Sequence, residues 1–426
     1  MRTDFDAIVI GAGPAGAASA ILLARAGWSV ALIEKREVAR RKICGECIAA
    51  SNLPLLAALG IDEAFLTLAG ADLRQLAMMR GNRTVIADLP AAADPQLRWG
   101  RALAHETLDK LLMEQARSSG AHILQPWSAQ TIDGRPGDWR CGVRSRSTHA
   151  RRTLTAAVTI AAHGSWEGLP AECLRRNQPQ QAGDLLSFKA TYDGASLADG
   201  LLPILSFDGG FGGIVDGAGG ISTLACCLRR DRLQAARDAA PGQRTGDVVE
   251  ALLSGECGGV RLALRNARRI GPWLAAGPLA PGIHLGRDDA PFRVGNAAGE
   301  AHPITGEGIS MALQSAWLLC TALIEPRRPL RVPDGTAQRL LAMSYGAQWR
   351  QHFEPRLRRA AAFAHLAMRP AAALPLVALA SAWPGLTPQG AAWASGTHED
   401  SGPVAHRRTA GERVPAPEAR PHASAQ

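Results

Sequence analysis

Three kinds of apolar spacing alternate along the chain. Residues 5–10 (FDAIVI) form a short β-branched run and predict a buried strand. After a glycine cluster, AASAILLARAG carries its apolar residues at helical spacing and stops at Gly27. Residues 28–33 then predict a second strand. Residues 101–120 place Leu103, Leu108, Leu111, Leu112 and Ala116 at helical spacing and end at a glycine. Residues 153–166 alternate and predict a strand leading into a tight loop. From 184 to about 270 the texture changes to short apolar runs broken by Gly and Asp-Gly turns (LLSFKATYDG, LLPILSFDGG, FGGIVDGAGG, ISTLACCLRR). These predict an antiparallel sheet inserted between two halves of a nucleotide-binding domain. Residues 292–296 read as another buried strand running into glycines, and 308–324 as a helix. After Pro333 the pattern is mostly helical, and from 400 onward it is Pro-, Ala- and charge-rich, which predicts a disordered tail. The expected divisions are 1–183 and 271–330 for the two parts of the nucleotide domain, 184–270 for the sheet, 331–399 for a helical region and 400–426 for the tail.

Between the first strand and the first helix stands Gly11-Ala12-Gly13-Pro14-Ala15-Gly16. Gly11 permits the tight turn, Gly13 lets the backbone approach a pyrophosphate, and Gly16 lets the helix pack close to the sheet. The helix N-terminus offers free N–H groups and a positive dipole to phosphates. Glu34 closes the second strand 23 residues after Gly11, where a carboxylate can accept from both ribose hydroxyls of an adenosine. That carboxylate would repel a 2′-phosphate. The strand–turn–helix–strand unit and its acid point to dinucleotide binding, and by themselves do not choose FAD over NAD.

Five basic residues follow between Lys35 and Lys42, ahead of Cys44-Gly45-Glu46. Basic groups beside a pyrophosphate site have an obvious partner. Cys44 and Cys47 form a C-x-x-C, yet neither a preceding strand with a helix start nor a second ligand pair accompanies it, so the thiols read as structural. Composition narrows the picture further. Apolar content is 46%, charged content 20% and net charge +9, nearly all of the basic side chains being Arg. The basic pairs are scattered and lack aromatic interleaving, which argues against nucleic-acid binding. No apolar run is long enough to span a bilayer. Asp4 and Asp6 precede the first apolar stretch where a signal peptide needs positive charge. Eight cysteines without regular spacing suggest reduced thiols and a cytoplasmic location. The apolar stretch 370–386 is proline-broken. It reads as a core helix, and it also admits peripheral contact with a membrane surface.

A second glycine block, VGNAAGEAHPITGEGISMALQSAW (294–317), sits directly in front of a helix. Its glycines suit a ligand that comes very close to the main chain. Taken with GAGPAG, Glu34 and RKICGE, this block resembles those of the FAD-dependent superfamily that includes aromatic hydroxylases and geranylgeranyl reductases, the closer likeness being to the reductase-like branch. The resemblance covers roughly residues 1–325. It implies a Rossmann-like FAD-binding domain of α/β class, an inserted antiparallel substrate sheet and a C-terminal helical region. The hydroxylases usually carry His where this chain has Gly299, in keeping with the closer likeness to the reductase-like branch. The chain departs from the family's pattern at two places: Gly295-Asn296 replaces Gly-Asp, and His163-Gly164 replaces Asp-Gly.

The resemblance implies that Gly295 and Asn296 meet the ribityl-pyrophosphate. It also implies that Pro303, Gly306, Gly308 and Ile309 run against the isoalloxazine, with the helix aimed at its pyrimidine edge. Negative charge that develops there on reduction is stabilised by N–H donors and a helix N-terminus. The expected cofactor set is Gly11, Gly13, Pro14, Ala15, Gly16, Glu34, Lys35, Lys42, Cys44, Gly45, Arg101, Gly295, Asn296, Gly306, Gly308 and Ile309. His302 and Pro303 are the candidate catalytic positions, with His163 and Glu307 as weaker ones. Three functions follow. One is a monooxygenase that hydroxylates an aromatic or polyketide-like compound through a flavin C4a-hydroperoxide. Another is a reductase that saturates double bonds of an isoprenoid or lipid-like substrate. The last is a flavoprotein that modifies a partner protein. Electrons would come from NADPH or NADH bound transiently, or through a partner reductase, because no second dinucleotide fold is visible. A small hydrophobic organic substrate is the expected partner.

Overall fold

The computed structural model describes residues 2–38, 41–92, 94, 97–165, 180–324 and 333–369. The expected tail 400–426 and the apolar stretch 370–386 lie outside the described residues. Two sheets dominate. In the first, His122–Leu124, Val30–Ile33, Asp4–Ile10 and Arg151–Ala161 lie side by side and parallel. Phe292–Arg293 continues the parallel set on the outer edge of Arg151–Ala161. On that same edge, further along, Asp138–Ser145 and then Trp127–Arg135 add antiparallel strands. The inner strands are short and apolar because both faces are covered, as parallel sheets require. All four residues of Val30–Ile33 are buried. The helices Pro14–Arg25 and Gly308–Ile324 pack together in the main core with Ala17, Ile21, Leu313 and Ala316 fully buried or nearly so.

The second sheet runs in the order Arg268–Arg269, Leu185–Asp193, Ile221–Arg229, Gly210–Asp216, Leu201–Phe207, Gln75–Arg80, Arg83–Asp88, with Leu274–Ala276 also on Leu185–Asp193. It extends well beyond 184–270, since two strands come from residues 75–88. The chain between 184 and 270 is also less uniformly β than its turns suggest. Arg230–Asp238, Thr245–Glu256 and Gly258–Ala263 are helices. Their Leu233, Val249, Leu253 and Val260 pack under one face of the sheet, against Ala77, Met79, Leu205 and Leu224. Strand alternation sends the neighbours Met78, Leu202 and Ile204 to the other face, which lines a cavity.

A long helix, Gly335–Ala367, bridges the two sheets. Asp334 caps it by accepting from Thr336 and Ala337 N–H at 3.0 and 2.8 Å. Its 33 residues span about 50 Å. Tyr345, Trp349, Phe353 and Leu357 enter the core of the first domain. At its far end the carbonyl of Ala367 accepts from Arg80 and Ser206 of the second sheet. Trp349 also accounts for the glycine at 299. A Cβ there would lie 2.4 Å from the indole Cη2, so the long helix fills the space that a larger side chain would need.

The loop 42–46 ties the sheets together from the other side. Glu46, with a left-handed φ of 59°, is buried. It forms an ion pair with Lys189 and accepts from Thr223 Oγ1 at 2.6 Å and from the His105 N–H at 3.1 Å. A buried pair of this kind adds little net stability, but breaking it strands a charge, at about 3–5 kcal/mol. Lys189→Met should therefore lose about that much in urea unfolding, and adding Glu46→Gln should recover most of the loss. An unchanged midpoint for Lys189→Met would show that Glu46 is solvated.

Candidate functional site

The turn after the first strand is built by steric necessity. Gly11 has φ 101°, and a Cβ on it would lie 2.5 Å from the Ala162 carbonyl oxygen. Gly16 presses on the same turn, since a Cβ there would come within 1.8 Å of the Gly11 oxygen. Gly13 differs. A Cβ on it would meet only the Lys42 ammonium, at 3.4 Å, and would otherwise point into open space. No side chain caps the helix that starts at Pro14, so its first N–H groups face outward, as anion binding needs. Lys42 is anchored by Asp109 at 2.7 Å. Glu34 accepts from the N–H groups of Ala12 (3.1 Å) and Arg36 (2.8 Å), which fixes the carboxylate against the turn.

These groups border a cavity of about 1240 Å³, larger than the ~300–1000 Å³ usual for small-molecule sites. Of the residues expected to meet the cofactor, Gly11, Gly13, Pro14, Ala15, Glu34 and Lys35 line one end. Lys42, Cys44 and Gly45 line it from the basic loop. Gly295, Asn296, Pro303, Gly306, Gly308 and Ile309 line it from the second glycine block, and His163 does so too. Gly295 and Gly306 have φ of 60° and 66°, so both need glycine. Cβ atoms on Gly306 and Gly308 would meet nothing within 4 Å, so bare backbone faces the cavity there. The amide of Asn296 donates to Ser165 Oγ at 2.8 Å. The apolar face of the second sheet forms the remaining wall.

Three expected residues are elsewhere. Gly16 packs against the backbone of Gly11 and does not border the cavity. Arg101 does not border this cavity. Its guanidinium pairs with Asp72 at 2.9 Å and donates to the Leu66 carbonyl at 3.1 Å, holding the short strand Arg101–Ala102 in place. His302 turns its ring away from the cavity, into the protein against His365, with centroids 5.9 Å apart. Burial first, then the neighbouring His365, lowers its pKa to about 4. Pro303 alone of the catalytic pair faces the cavity. Glu307 borders the cavity through its loop, while its carboxylate is paired with Arg356 at 2.8 Å.

Sequence reasoning missed two polar groups on the cavity wall. Glu300 is 5% exposed, and burial raises its pKa above the ordinary carboxylate range, against a hydrogen bond from Ser165 that lowers it. It was visible as the lone acid inside NAAGEAHP. His105 opens the helix His105–Ser118 with its ring 3.4 Å from Asp109, and burial, then Lys42 and Lys189, hold it neutral. No local signal marked it. Burial likewise raises the pKa of the thiols at Cys44 and at Cys47, the latter to about 12. Neither is a thiolate at neutral pH.

Two banks of bare backbone on one cavity suit a ligand with phosphates at one end and a flat ring at the other. The fold and cavity thus define a dinucleotide-binding flavoprotein. The chain matches the FAD binding domain family over residues 4–198, a little under half of its length. It is 27% identical over 350 residues to conditioned medium factor receptor 1 of Dictyostelium discoideum, covering 75% of this chain and 63% of that protein. It is 30% identical over 173 residues to a digeranylgeranylglycerophospholipid reductase of Methanoculleus marisnigri, covering 39% and 40%. The chain thus spans less than two thirds of the length of these curated relatives. Among solved structures, the myxobacterial chondrochloren halogenase superposes with a TM-score of 0.69 at 15% identity, over 84% of this chain and 82% of that one, which is a likeness of fold.

The residues present fit FAD. With FAD bound, Glu34 would offer an acceptor to the adenosine ribose. Gly11, Gly13 and Lys42 suit the pyrophosphate, and the loop 306–308 leaves room for the ring. Gly13→Val should place a side chain in the phosphate path and leave the purified protein colourless. Glu34→Ala should weaken FAD retention by about 10–100-fold, the worth of a charged hydrogen bond, with turnover near normal at saturating FAD. Turnover lost with FAD fully bound would contradict the assignment.

His302 gives a pH prediction. Its folded-state pKa lies near 4, below the unfolded value of about 6.5. Between those values the unfolded chain binds the extra proton. Stability should therefore fall as pH drops from 6.5 toward 4, by up to about 1.4 kcal/mol per unit of the gap. Unfolding midpoints of His302→Gln across this window should be flatter than those of the native chain.

Proposed function

We propose that this protein is an FAD-dependent monooxygenase that hydroxylates a hydrophobic aromatic or polyketide-like compound. The observation that carries the reading is a shared chamber. The bare loop 306–308 and the apolar face of the second sheet border the same cavity, so a flat redox ring and an apolar substrate would meet out of bulk water. FAD bound there would supply two-electron chemistry and, once reduced, reaction with oxygen. The chain's own residues supply the rest. Leu202, Ile204 and Met78 exclude water and hold the substrate by apolar contact. Pro303 and the loop 306–308 set the ring's position. Glu300, with its raised pKa, takes up a proton at its carboxylate more readily than an exposed acid and can return it within the cavity.

The extent of that apolar wall also favours a second reading, a reductase that saturates a double bond in an isoprenoid or lipid-like chain. With His163 at the position expected to be Asp and no second dinucleotide fold among the described residues, NADPH or NADH would bind transiently near the ring. Reduction by NAD(P)H alone should be slow, and substrate or a partner reductase should accelerate it. Reducing the protein without oxygen and then mixing it rapidly with oxygen, with and without phenolic or polyprenyl compounds, separates the readings. Oxygen-dependent formation of a hydroxylated product supports the first. Turnover of an alkene in strict absence of oxygen would replace it with the second.

A further inference from the structure

The long helix places one charged group behind the loop that borders the cavity. Arg356 is 6% exposed and Glu307 7%. The Arg356 Nε donates to the Glu307 carboxylate at 2.8 Å, and its Nη1 donates to Gln314 Oε1 at 2.6 Å. Gln314 donates in turn to Asn52 Oδ1 at 3.4 Å, and Asn52 donates to Ser310 Oγ at 2.6 Å. Ser310 lines the cavity one turn into the helix Gly308–Ile324. This buried network crosses three separate segments and ends where bare backbone faces the cavity. Glu307 is an odd residue to find there. A carboxylate buried beside a site where negative charge grows on reduction would oppose that reduction, and Arg356 cancels it.

We propose that the Glu307–Arg356 pair is a positioning and charge-balancing device that sets the reduction potential of FAD bound against the loop 306–308. This rests on the FAD reading above. The pair is neutral as a unit, so the helix N-terminus stays the dominant field at the ring. Removing either partner leaves one full charge in a poorly screened interior, where it acts strongly over short distances. The two removals act in opposite directions, whereas loss of packing alone carries no sign.

The test is a spectral titration of flavin potential against reference dyes, on protein reconstituted with FAD. Glu307→Gln leaves the Arg356 guanidinium without its counter-charge and should raise the reduced-to-oxidised ratio about tenfold at fixed poise, about 30 mV for a two-electron couple. Arg356→Gln should shift the ratio the other way. The double variant and Arg356→Lys should return close to the native potential, and both guard against a single variant that fails to fold. Overturning results are a Glu307→Gln potential that is unmoved or lower with FAD bound, or two single variants shifted the same way. A native protein that binds no FAD would instead remove the functional reading on which the proposal stands.

Discussion

The buried pair between Glu46 and Lys189 is the constraint on which the cavity depends. Neither parallel sheet nor antiparallel sheet makes a site alone. One carries the phosphate-binding turn and the other carries the apolar wall, and they must be held at a fixed separation around an empty volume. Apolar packing alone would tend to close such a gap. A carboxylate in a left-handed backbone position, satisfied by an ammonium, a hydroxyl and a main-chain N–H from different segments, has few alternative arrangements of comparable energy. It fixes spacing at the cost of stability, the use for which buried ion pairs are best suited.

The helix Gly335–Ala367 acts as the complementary strut. Its middle turns are anchored by Trp349 against Gly299 and by Arg356 against Glu307, and its last carbonyl is held by Arg80 and Ser206. The same element thus touches the glycine block and the second sheet. Its end meets the second sheet through apolar contacts as well, since Ala364 and Ala367 pack with Leu185, Phe211 and Cys227.

What could be read from the sequence was local. The turn at Gly11–Gly16, the acid at 34 and the block around Gly306 each obey a rule that acts within a few residues, and the chain carries all three in order. The inner strands and the helices at 14–25 and 308–324 were legible for the same reason, because their apolar period is strong. Several of the misses are long-range. Residues 75–88 look like an ordinary hairpin, and nothing local says that Gln75–Arg80 pairs with Leu201–Phe207. Arg101 looked like one more cation for phosphate until Asp72 was found beside it. His302 sits next to Pro303, yet adjacent residues in a tight loop point in different directions, so one faces the cavity and the other faces His365. Glu46 and Lys189 are 143 positions apart, and no pattern in either segment names the other.

The long helix also orders events in time. The glycine turn is made within the first tenth of the chain, but its strand pairs with Arg151–Ala161, and the loop opposite it is backed by a residue at 356. A chain emerging from its N-terminus can form the helix Pro14–Arg25 early, and can complete the second sheet once Leu274–Ala276 is out. It has no finished chamber until the helix Gly335–Ala367 has left the ribosome and docked. Domains fold as units during synthesis, so this architecture holds back completion of the chamber until residues of the first strand, the second sheet and the long helix are all present.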